Sequence, residues 1–266
     1  MTDEPQKLRV LDLFSGIGGF SLGLERTGGF ETVAFCEIEP YCQAVLRKHW
    51  PDVPIFDDVR ELTADAIGPV DIICGGFPCQ DLSAAGHQVG ITGNRSGLWS
   101  ELCRLVGEIR PRYAIVENVP NLLAGERGRW FGRVLGDLAE IGFNAEWHCI
   151  PASAVGAPHR RDRVWIIASD ARHRRRSYQG RVESEQGESR ASEGRDSEEQ
   201  DRELDILVRR VSPRSRADWW RDQSSVARTV NGLPAVLERA RGCGNAVVPS
   251  VVENIGRAIL EAEKNR

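Results

Sequence analysis

The chain has 266 residues, a net charge of −4 and an isoelectric point near 5.8. This length allows one large domain, or one domain with a small appendage, and the hydrophobic fraction of 41% is typical of a globular protein. No apolar run approaches the roughly 20 residues that span a bilayer, and the polar segment 1–7 is not a secretory signal. We therefore expect a cytoplasmic protein without membrane contact. Nucleic-acid binding stays open, because basic charge can be concentrated in one cleft.

The seven cysteines are an odd number and contain no Cys-x-x-Cys pair. A disulfide framework or a zinc site is therefore not expected, and no metal is predicted. Most of these cysteines are interpreted as small buried hydrophobic residues.

The first elements predict a nucleotide-binding turn. A strand over 8–14 runs into a glycine-rich turn, followed by a helix over 20–27, a strand over 31–36 and a helix over 41–49. Such a turn lets the backbone approach a nucleotide, although Ser21 stands where the dinucleotide fingerprint has Gly or Ala. Glu37 follows the second strand and could accept bonds from ribose hydroxyls. An ordinary tight turn and a solvated charge are the alternatives.

Two candidate catalytic residues follow the next strands. The strand over 70–74 leads into a Gly/Pro loop that carries Cys79, and a helix is predicted over 97–109. A cysteine in such a loop is placed for access, as a nucleophile requires, or it is a structural loop cysteine. The strand over 113–116 ends at Glu117, which could act as an acid or could simply cap a helix.

Further along, a helix over 130–141 precedes strands over 144–150 and 163–168. Arg161 and Arg163 alternate along an extended segment and would face one side, where they could hold an anion or a base carbonyl; a basic surface loop is the alternative. Alternating strands and helices predict a parallel sheet with helices on both faces. The unusual clusters should then meet at the carboxyl ends of the strands.

The pattern changes after Asp170. Residues 171–216 are rich in arginine, acidic residues and polar residues, which favours a solvated insertion over a phosphate-binding segment. Trp219 and Trp220 mark a return of folded character and are interpreted as core residues rather than as a stacking platform. A last helix is predicted over 247–260.

The ordered set of motifs resembles the DNA (cytosine-5) methyltransferase family of prokaryotic or phage type. The matching segments are Asp12–Gly19, Glu37–Glu39, Gly75–Ser83 around Pro-Cys-Gln, Glu117–Val119, Arg161-x-Arg163 and Gly244–Pro249. One departure is His159, which stands where the family usually has Gln. The resemblance implies an α/β fold with a Rossmann-like S-adenosylmethionine-dependent methyltransferase sheet and a small target-recognition region.

The resemblance also implies a role for individual residues. Cys79 would be the nucleophile, Glu117 would bond the target cytosine, and Arg163 would hold the base carbonyl with Arg161 nearby. The residues expected to border S-adenosylmethionine are Phe14, Gly16, Gly18, Gly19, Glu37, Ile38, Asp58, Val59, Pro78, Asn245, Ala246 and Val247.

From these motifs we expect three parts: a catalytic and cofactor-binding domain over 1–169, a short target-recognition region over 170–230, and a segment over 231–266 that returns to the catalytic domain. The expected partner is duplex DNA, in restriction-modification or phage DNA protection, with a cognate restriction endonuclease as a further candidate and a monomer as the expected state. The glycine-rich loop over 80–97 should close over a flipped base.

Three other functions are weighed against this one. Part of the family methylates tRNA, and a catalytically silent DNA-binding relative is a second possibility. A nicotinamide dehydrogenase is disfavoured, because the glycine spacing differs from its fingerprint and the Pro-Cys-Gln loop would have no role.

Overall fold

The computed structural model describes residues 6–77, 97–173 and 246–264. Most predicted elements occur within two or three residues of their expected bounds, and Pro40 begins its helix as expected. In chain order they are β1 (Leu8–Leu13), α1 (Gly19–Glu25), β2 (Phe30–Cys36), α2 (Pro40–His49), β3 (Ile55–Phe56), α3 (Ala64–Ile67), β4 (Ile72–Gly75), α4 (Gly97–Ile109), β5 (Tyr113–Asn118), α5 (Asn121–Ala124), a 3-10 turn (Gly125–Gly128), α6 (Arg129–Glu140), β6 (Phe143–Pro151), a second 3-10 turn (Ala152–Val155), β7 (Asp162–Asp170) and α7 (Pro249–Lys264).

The strands form one seven-stranded sheet in the order β3-β2-β1-β4-β5-β7-β6. Strands β3, β2, β1, β4 and β5 are mutually parallel, whereas β7 is antiparallel to both of its neighbours. The prediction of a parallel sheet is therefore wrong at β7. The connection from β6 to β7 over residues 152–161 holds only a 3-10 turn, and a parallel crossover needs about a dozen residues or more, usually with a helix.

The reversed direction of β7 brings its beginning to the edge where the parallel strands end. Leu13 at the end of β1 pairs with Cys36 and with Gly75, the ends of β2 and β4. On the other side, Asn118 at the end of β5 pairs with Val164 near the start of β7. The residues that follow β1, β2, β4 and β5, and those that precede β7, therefore share one edge of the sheet.

Helices cover both faces of the sheet, as predicted. On one face, α4 and α6 bury side chains such as Leu102 and Leu138 against the strands. On the other face, α1 and α7 bury Phe20, Leu24 and Val252 against β1, β4 and β5. The fold therefore has three layers. None of the helices in the described ranges is both long and apolar enough to cross a membrane.

Glycines on α1 allow α7 and the segment before it to pack very closely. A Cβ atom placed on Gly19 would lie 2.7 Å from the carbonyl oxygen of Val247. A Cβ atom on Gly23 would lie 2.5 Å from the carbonyl oxygen of Pro249 and 2.6 Å from the Val252 Cβ. Real Cβ atoms do not approach backbone atoms this closely, so both positions require glycine. The C-terminal helix is thereby joined directly to the helix that follows the glycine-rich turn.

We predict that Gly23→Ala destabilises the protein, although alanine is the better helix former. The added methyl group would push against backbone of the C-terminal segment, and such overpacking costs about 1–3 kcal/mol. The matched control is Gly136→Ala in α6, where a Cβ would meet no atom within 4 Å. That change should raise the free energy of unfolding by up to about 1 kcal/mol. Urea unfolding measures both, and equal stabilisation by the two substitutions would contradict the proposed close packing.

Candidate active site

The turn after β1 has an unusual backbone. Phe14, Gly16 and Gly18 have φ angles of 52°, 54° and 83°, all in the left-handed region. A Cβ on Gly16 would meet no atom within 4 Å, so glycine is favoured here by its backbone conformation and not by crowding. No neighbouring atom covers the backbone at Gly16 on this side, so a ligand can approach it closely.

Glu37 connects this turn to the end of β2. Its side chain is buried, and its Oε2 atom accepts a hydrogen bond from the Gly16 N–H at 2.6 Å. Its Oε1 atom accepts one from the Glu39 N–H at 2.8 Å. Each carboxylate oxygen retains capacity for another donor, as the predicted contact with ribose hydroxyls requires. Ile38 beside it is 61% exposed and offers an apolar surface at the same edge.

Asp58 and Val59 lie after β3, beyond the end of β2. The Asp58 carboxylate binds the Arg60 guanidinium, with 2.6 Å between Oδ2 and Nη2, and these bonds hold the pKa of Asp58 below its ordinary value. The Val59 side chain is buried in the core, so Val59 can offer a ligand only its backbone. An adenine amino group at this place would have to share the Asp58 oxygens with Arg60.

The segment that precedes α7 also lies beside the glycine-rich turn. Because the Val247 carbonyl oxygen lies against Gly19, residues Ala246 and Val247 border the first turn of α1. The predicted site residues Asn245, Pro78 and Cys79 lie outside the described residues, as do residues 80–96 of the predicted loop over 80–97, whose last residue, Gly97, begins α4. Their proposed roles stay predictions.

Glu117 and the two arginines form a cluster at the edge of β5 and β7. The Nε atom of Arg163 lies 2.9 Å from Oε1 of Glu117, and the carboxylate is buried. A Cβ placed on Gly76 would lie 3.0 Å from the other carboxylate oxygen, Oε2. The segment that leads from β4 toward Cys79 therefore passes directly against the carboxylate of Glu117.

Burial controls the electrostatics of this cluster. It raises the pKa of Glu117, and the positive charges of Arg163 and Arg161 partly oppose this rise. Burial also lowers the pKa of the Arg161 guanidinium, as does the like charge of Arg163. The Nε atom of Arg161 has no hydrogen-bond partner among the described residues. Two cations face one carboxylate here, so the cluster has spare capacity for an anionic or electron-rich ligand.

The two arginines line one cleft together with Glu117, although only Arg163 lies in the extended strand β7. Arg161 itself has a φ of 32°, a strained conformation for a residue other than glycine. The remaining lining side chains come from β6, the 3-10 turn after it, β7 and the C-terminal segment: Ile150, Ala152, Trp165, Val248 and Val251. The cleft therefore joins the Glu117 cluster to the segment that borders the glycine-rich turn.

Three supporting interactions were missed from the sequence. Asp12 on β1 is fully buried and accepts a hydrogen bond from the Ser21 hydroxyl at 2.8 Å; burial raises the pKa of Asp12 to about 7. The Asn118 amide donates to the carbonyl of Phe77 at 3.1 Å. The Gln43 amide donates to the Glu37 carbonyl at 2.7 Å. Only Asp12 had a visible signal, a charged residue within an apolar strand.

Comparison with known proteins agrees with this architecture. The family model described as C-5 cytosine-specific DNA methylase matches residues 8–231. The chain belongs to this family. Among its relatives, the type II methyltransferase M2.BsuMI of Bacillus subtilis is 41% identical over 166 residues, which cover 61% of this chain and 42% of that protein. M.HhaI of Haemophilus parahaemolyticus is 33% identical over 160 residues, covering 60% and 48%. The match thus spans less than half of each relative.

Solved structures show the same fold. A DNA modification methyltransferase encoded within a prophage (E. coli) is 29% identical and superposes with a TM-score of 0.55, covering 63% of this chain and 48% of that one. A DNMT2 variant from Spodoptera frugiperda, 24% identical, has a TM-score of 0.51 over 62% of this chain and 50% of its own. The chain therefore has the Rossmann-like fold of the methyltransferases. The division into domains stays a prediction.

We predict that Arg163→Met destabilises the protein on the order of 3 kcal/mol, because it leaves a buried carboxylate without its cation. The loss should shrink as the pH falls, since Glu117 can then take up a proton. Arg60→Met is the matched control, because Arg60 also bonds a carboxylate but is 64% exposed, and exposed pairs contribute little. Urea unfolding at two pH values measures both variants. Equal losses for both would contradict the assigned burial of the Glu117 pair.

The raised pKa of Asp12 predicts a second dependence of stability on pH. Its pKa of about 7 in the folded protein lies above the ordinary value of 3.8. Between these values the folded state keeps a proton that the unfolded chain has released, so this group's contribution to stability falls as the pH rises from about 4 to 7. Asp12→Asn removes this dependence. The stability of the wild type relative to Asp12→Asn should therefore decline between pH 5 and pH 7.5, and a constant difference would refute the raised pKa.

Proposed function

We propose that the chain is an S-adenosylmethionine-dependent DNA (cytosine-5) methyltransferase. The observation that carries the proposal is the cluster of Glu117, Arg161 and Arg163, with Gly76 in contact with the carboxylate. This cluster brings an acid and two cations to Gly76, which precedes Pro78 and Cys79 by two and three residues in the sequence. Membership of the C-5 cytosine-specific methylase family supports the same reaction.

The cofactor would occupy the edge formed by the ends of β1 and β2. The open backbone at Gly16, the buried carboxylate of Glu37 and the exposed side chain of Ile38 fit the ribose and the base of a nucleoside. Phe14, Gly18, Gly19, Asp58, Val59, Pro78, Asn245, Ala246 and Val247 would complete the pocket. When bound, S-adenosylmethionine supplies an electrophilic methyl group.

Cys79 would supply the nucleophile, because carbon 5 of cytosine is unreactive in the free base. Addition of its thiolate to carbon 6 forms the S–C bond and moves electron density onto carbon 5, which then takes the methyl group. Loss of the proton from carbon 5 breaks the S–C bond and releases Cys79 with the methylated base. S-adenosylhomocysteine is left as the second product, the proton from carbon 5 passes to solvent, and the thiolate of Cys79 is regenerated.

Glu117 would act at ring nitrogen 3 of the target base. Its pKa, raised by burial, makes it easier for the carboxyl group to hold a proton there while the thiolate adds. Arg163 would orient Glu117 through the existing ion pair and hold the carbonyl oxygen of the base. Arg161, whose Nε is unpartnered among the described residues, would take a further electron-rich group of the nucleotide.

The substrate would be duplex DNA with the target cytosine flipped out of the helix, since carbon 6 is inaccessible to a side chain within a base stack. The glycine-rich loop over 80–97 would close over the flipped base. The relatives named above are type II methyltransferases, which supports a role in restriction-modification or phage DNA protection with a cognate endonuclease. We further propose a monomeric cytoplasmic enzyme.

We predict that the chain transfers radiolabelled methyl groups from S-adenosylmethionine to cytosine in unmethylated duplex DNA. Cys79→Ser should abolish transfer, and Glu117→Gln should lower it by at least about 100-fold, since general acid catalysis contributes roughly this much. Cys149→Ser is the matched control, because Cys149 is a free and exposed cysteine on β6. It should retain full transfer.

Parallel reactions with tRNA separate the two candidate substrates. Label in tRNA and none in DNA would replace the proposed substrate while keeping the chemistry. No label in either nucleic acid, with S-adenosylmethionine still bound, would favour a silent relative and contradict the proposed activity.

A further inference from the structure

Ser21 has a role that its position in the turn motif does not suggest. In dinucleotide-binding folds, the corresponding residue is small so that the helix can pack closely on the strand. Here the Ser21 side chain is fully buried and its hydroxyl donates to Oδ2 of Asp12 at 2.8 Å, while the Asp12 side chain is also fully buried. A specific polar contact between strand and helix therefore exists where the fingerprint has close apolar contact.

The same carboxylate also caps α1. Gly18 at the N-cap position has no side chain to accept from the first turn of the helix, and that turn contains no acidic residue. The Ser21 N–H, one of the donors that the helix leaves unsatisfied, points to Oδ2 of Asp12 at 3.3 Å. Asp12 thus performs from a neighbouring strand what an N-cap side chain normally does.

Asp12 holds the glycine-rich turn at both ends. Its carbonyl oxygen accepts from the Ser15 hydroxyl at 2.6 Å, at the beginning of the turn. Its carboxylate accepts from Ser21, just after the turn. Between these two contacts lie Gly16 and Gly18, in left-handed conformations. Glycine backbones have many accessible conformations, so a single turn conformation needs fixing contacts, and Asp12 supplies two of them.

We propose that Asp12 and Ser21 are a positioning pair that holds the glycine-rich turn in the conformation that binds the cofactor. The inference rests on the proposed function and deepens it, because it assigns cofactor affinity to two buried residues that need not touch the cofactor. Loss of the pair lets the turn sample other conformations, and binding must then select the competent one, which weakens affinity. The transfer step at Cys79 and Glu117 is left intact.

The first test measures binding of S-adenosylhomocysteine by calorimetry. Ser21→Ala removes one hydrogen bond and should raise the Kd about 3- to 10-fold, the equivalent of a typical hydrogen bond. Asp12→Leu removes the acceptor for both Ser21 donors and should raise it further, whereas Asp12→Asn keeps an acceptor oxygen and should recover most of the affinity. In transfer assays the KM for S-adenosylmethionine should rise while kcat at saturation stays within about twofold.

The matched control is Thr32→Val on β2. Thr32 is also a buried hydroxyl residue in the sheet, and its Oγ1 atom has no hydrogen-bond partner among the described residues. This variant should bind S-adenosylhomocysteine like the wild type. An equal loss of affinity in Thr32→Val and Ser21→Ala would show that the loss comes from general destabilisation. It would contradict the proposed role of Asp12 and Ser21 as a positioning pair.

The second test is independent of the cofactor. Hydrogen exchange of the amides from Ser15 to Phe20 should become faster in Ser21→Ala than in the wild type, while exchange in β5 stays unchanged. A folded Ser21→Ala protein with wild-type affinity and wild-type exchange in the turn would overturn the positioning role. A wild-type protein that fails to bind S-adenosylhomocysteine would instead overturn the proposed function, and the exchange measurement alone would then decide whether the pair holds the turn.

Discussion

The ion pair between Glu117 and Arg163 is the interaction on which the edge of β5 and β7 depends. A carboxylate as buried as Glu117 is costly without a cation in contact. Glu117 lies at the carboxyl end of β5, so its cation must come from a residue at that end of the sheet. The first residues of a strand parallel to β5 would lie at the opposite end of the sheet, too far from Glu117. The antiparallel direction of β7 resolves this: its first residues lie beside the last residues of β5, and Arg163 pairs with Glu117 at 2.9 Å.

The other half of the edge is organised in a similar way. Asp12 and Glu37 are also buried carboxylates, and each is bonded by a donor from a different element: Ser21 on α1 and the Gly16 N–H in the turn. Burial of an acid is unfavourable for folding unless such donors are present. The three carboxylates therefore act as fixed points that determine where the turn, α1 and β7 must lie relative to the strands. Strained and desolvated groups of this kind cluster at functional sites.

Much of the architecture could be predicted from the sequence, because apolar periodicity reports burial directly. The strands at 8–13, 30–36 and 113–118 and the helix at 97–109 are recognisable from this pattern alone. The direction of β7 could not be predicted in this way, because an apolar strand has the same pattern in either direction. It depends on the ion pair, which is a tertiary contact, and on the short connection before β7, whose length is the one feature of the sequence that favours an antiparallel pair.

The candidate site also has a part that could be predicted from the sequence and a part that could not. Residue types such as Glu117 and Arg163 could be selected because charged residues next to apolar strands are unusual. The bonds of Asp12 with Ser21 and of Asn118 with Phe77 could not, because they join positions whose side-chain directions depend on the packed helices. Val59 is a further example: the family resemblance implies a ligand contact, but the sequence could not show that its side chain is part of the core, so that the predicted contact falls to its backbone.

The charge of the cleft reconciles an acidic chain with the nucleic-acid substrate that we propose. The net charge of −4 belongs to the whole surface, and interactions between exposed charges are screened beyond about 10 Å at ordinary ionic strength. Inside the cleft, Arg161 and Arg163 exceed Glu117 by one positive charge, and both arginines are partly buried. A desolvated cation interacts with a nearby electron-rich group far more strongly than an exposed one. Local positive charge at the reacting edge, and not the overall balance, therefore determines which ligand this fold can accept.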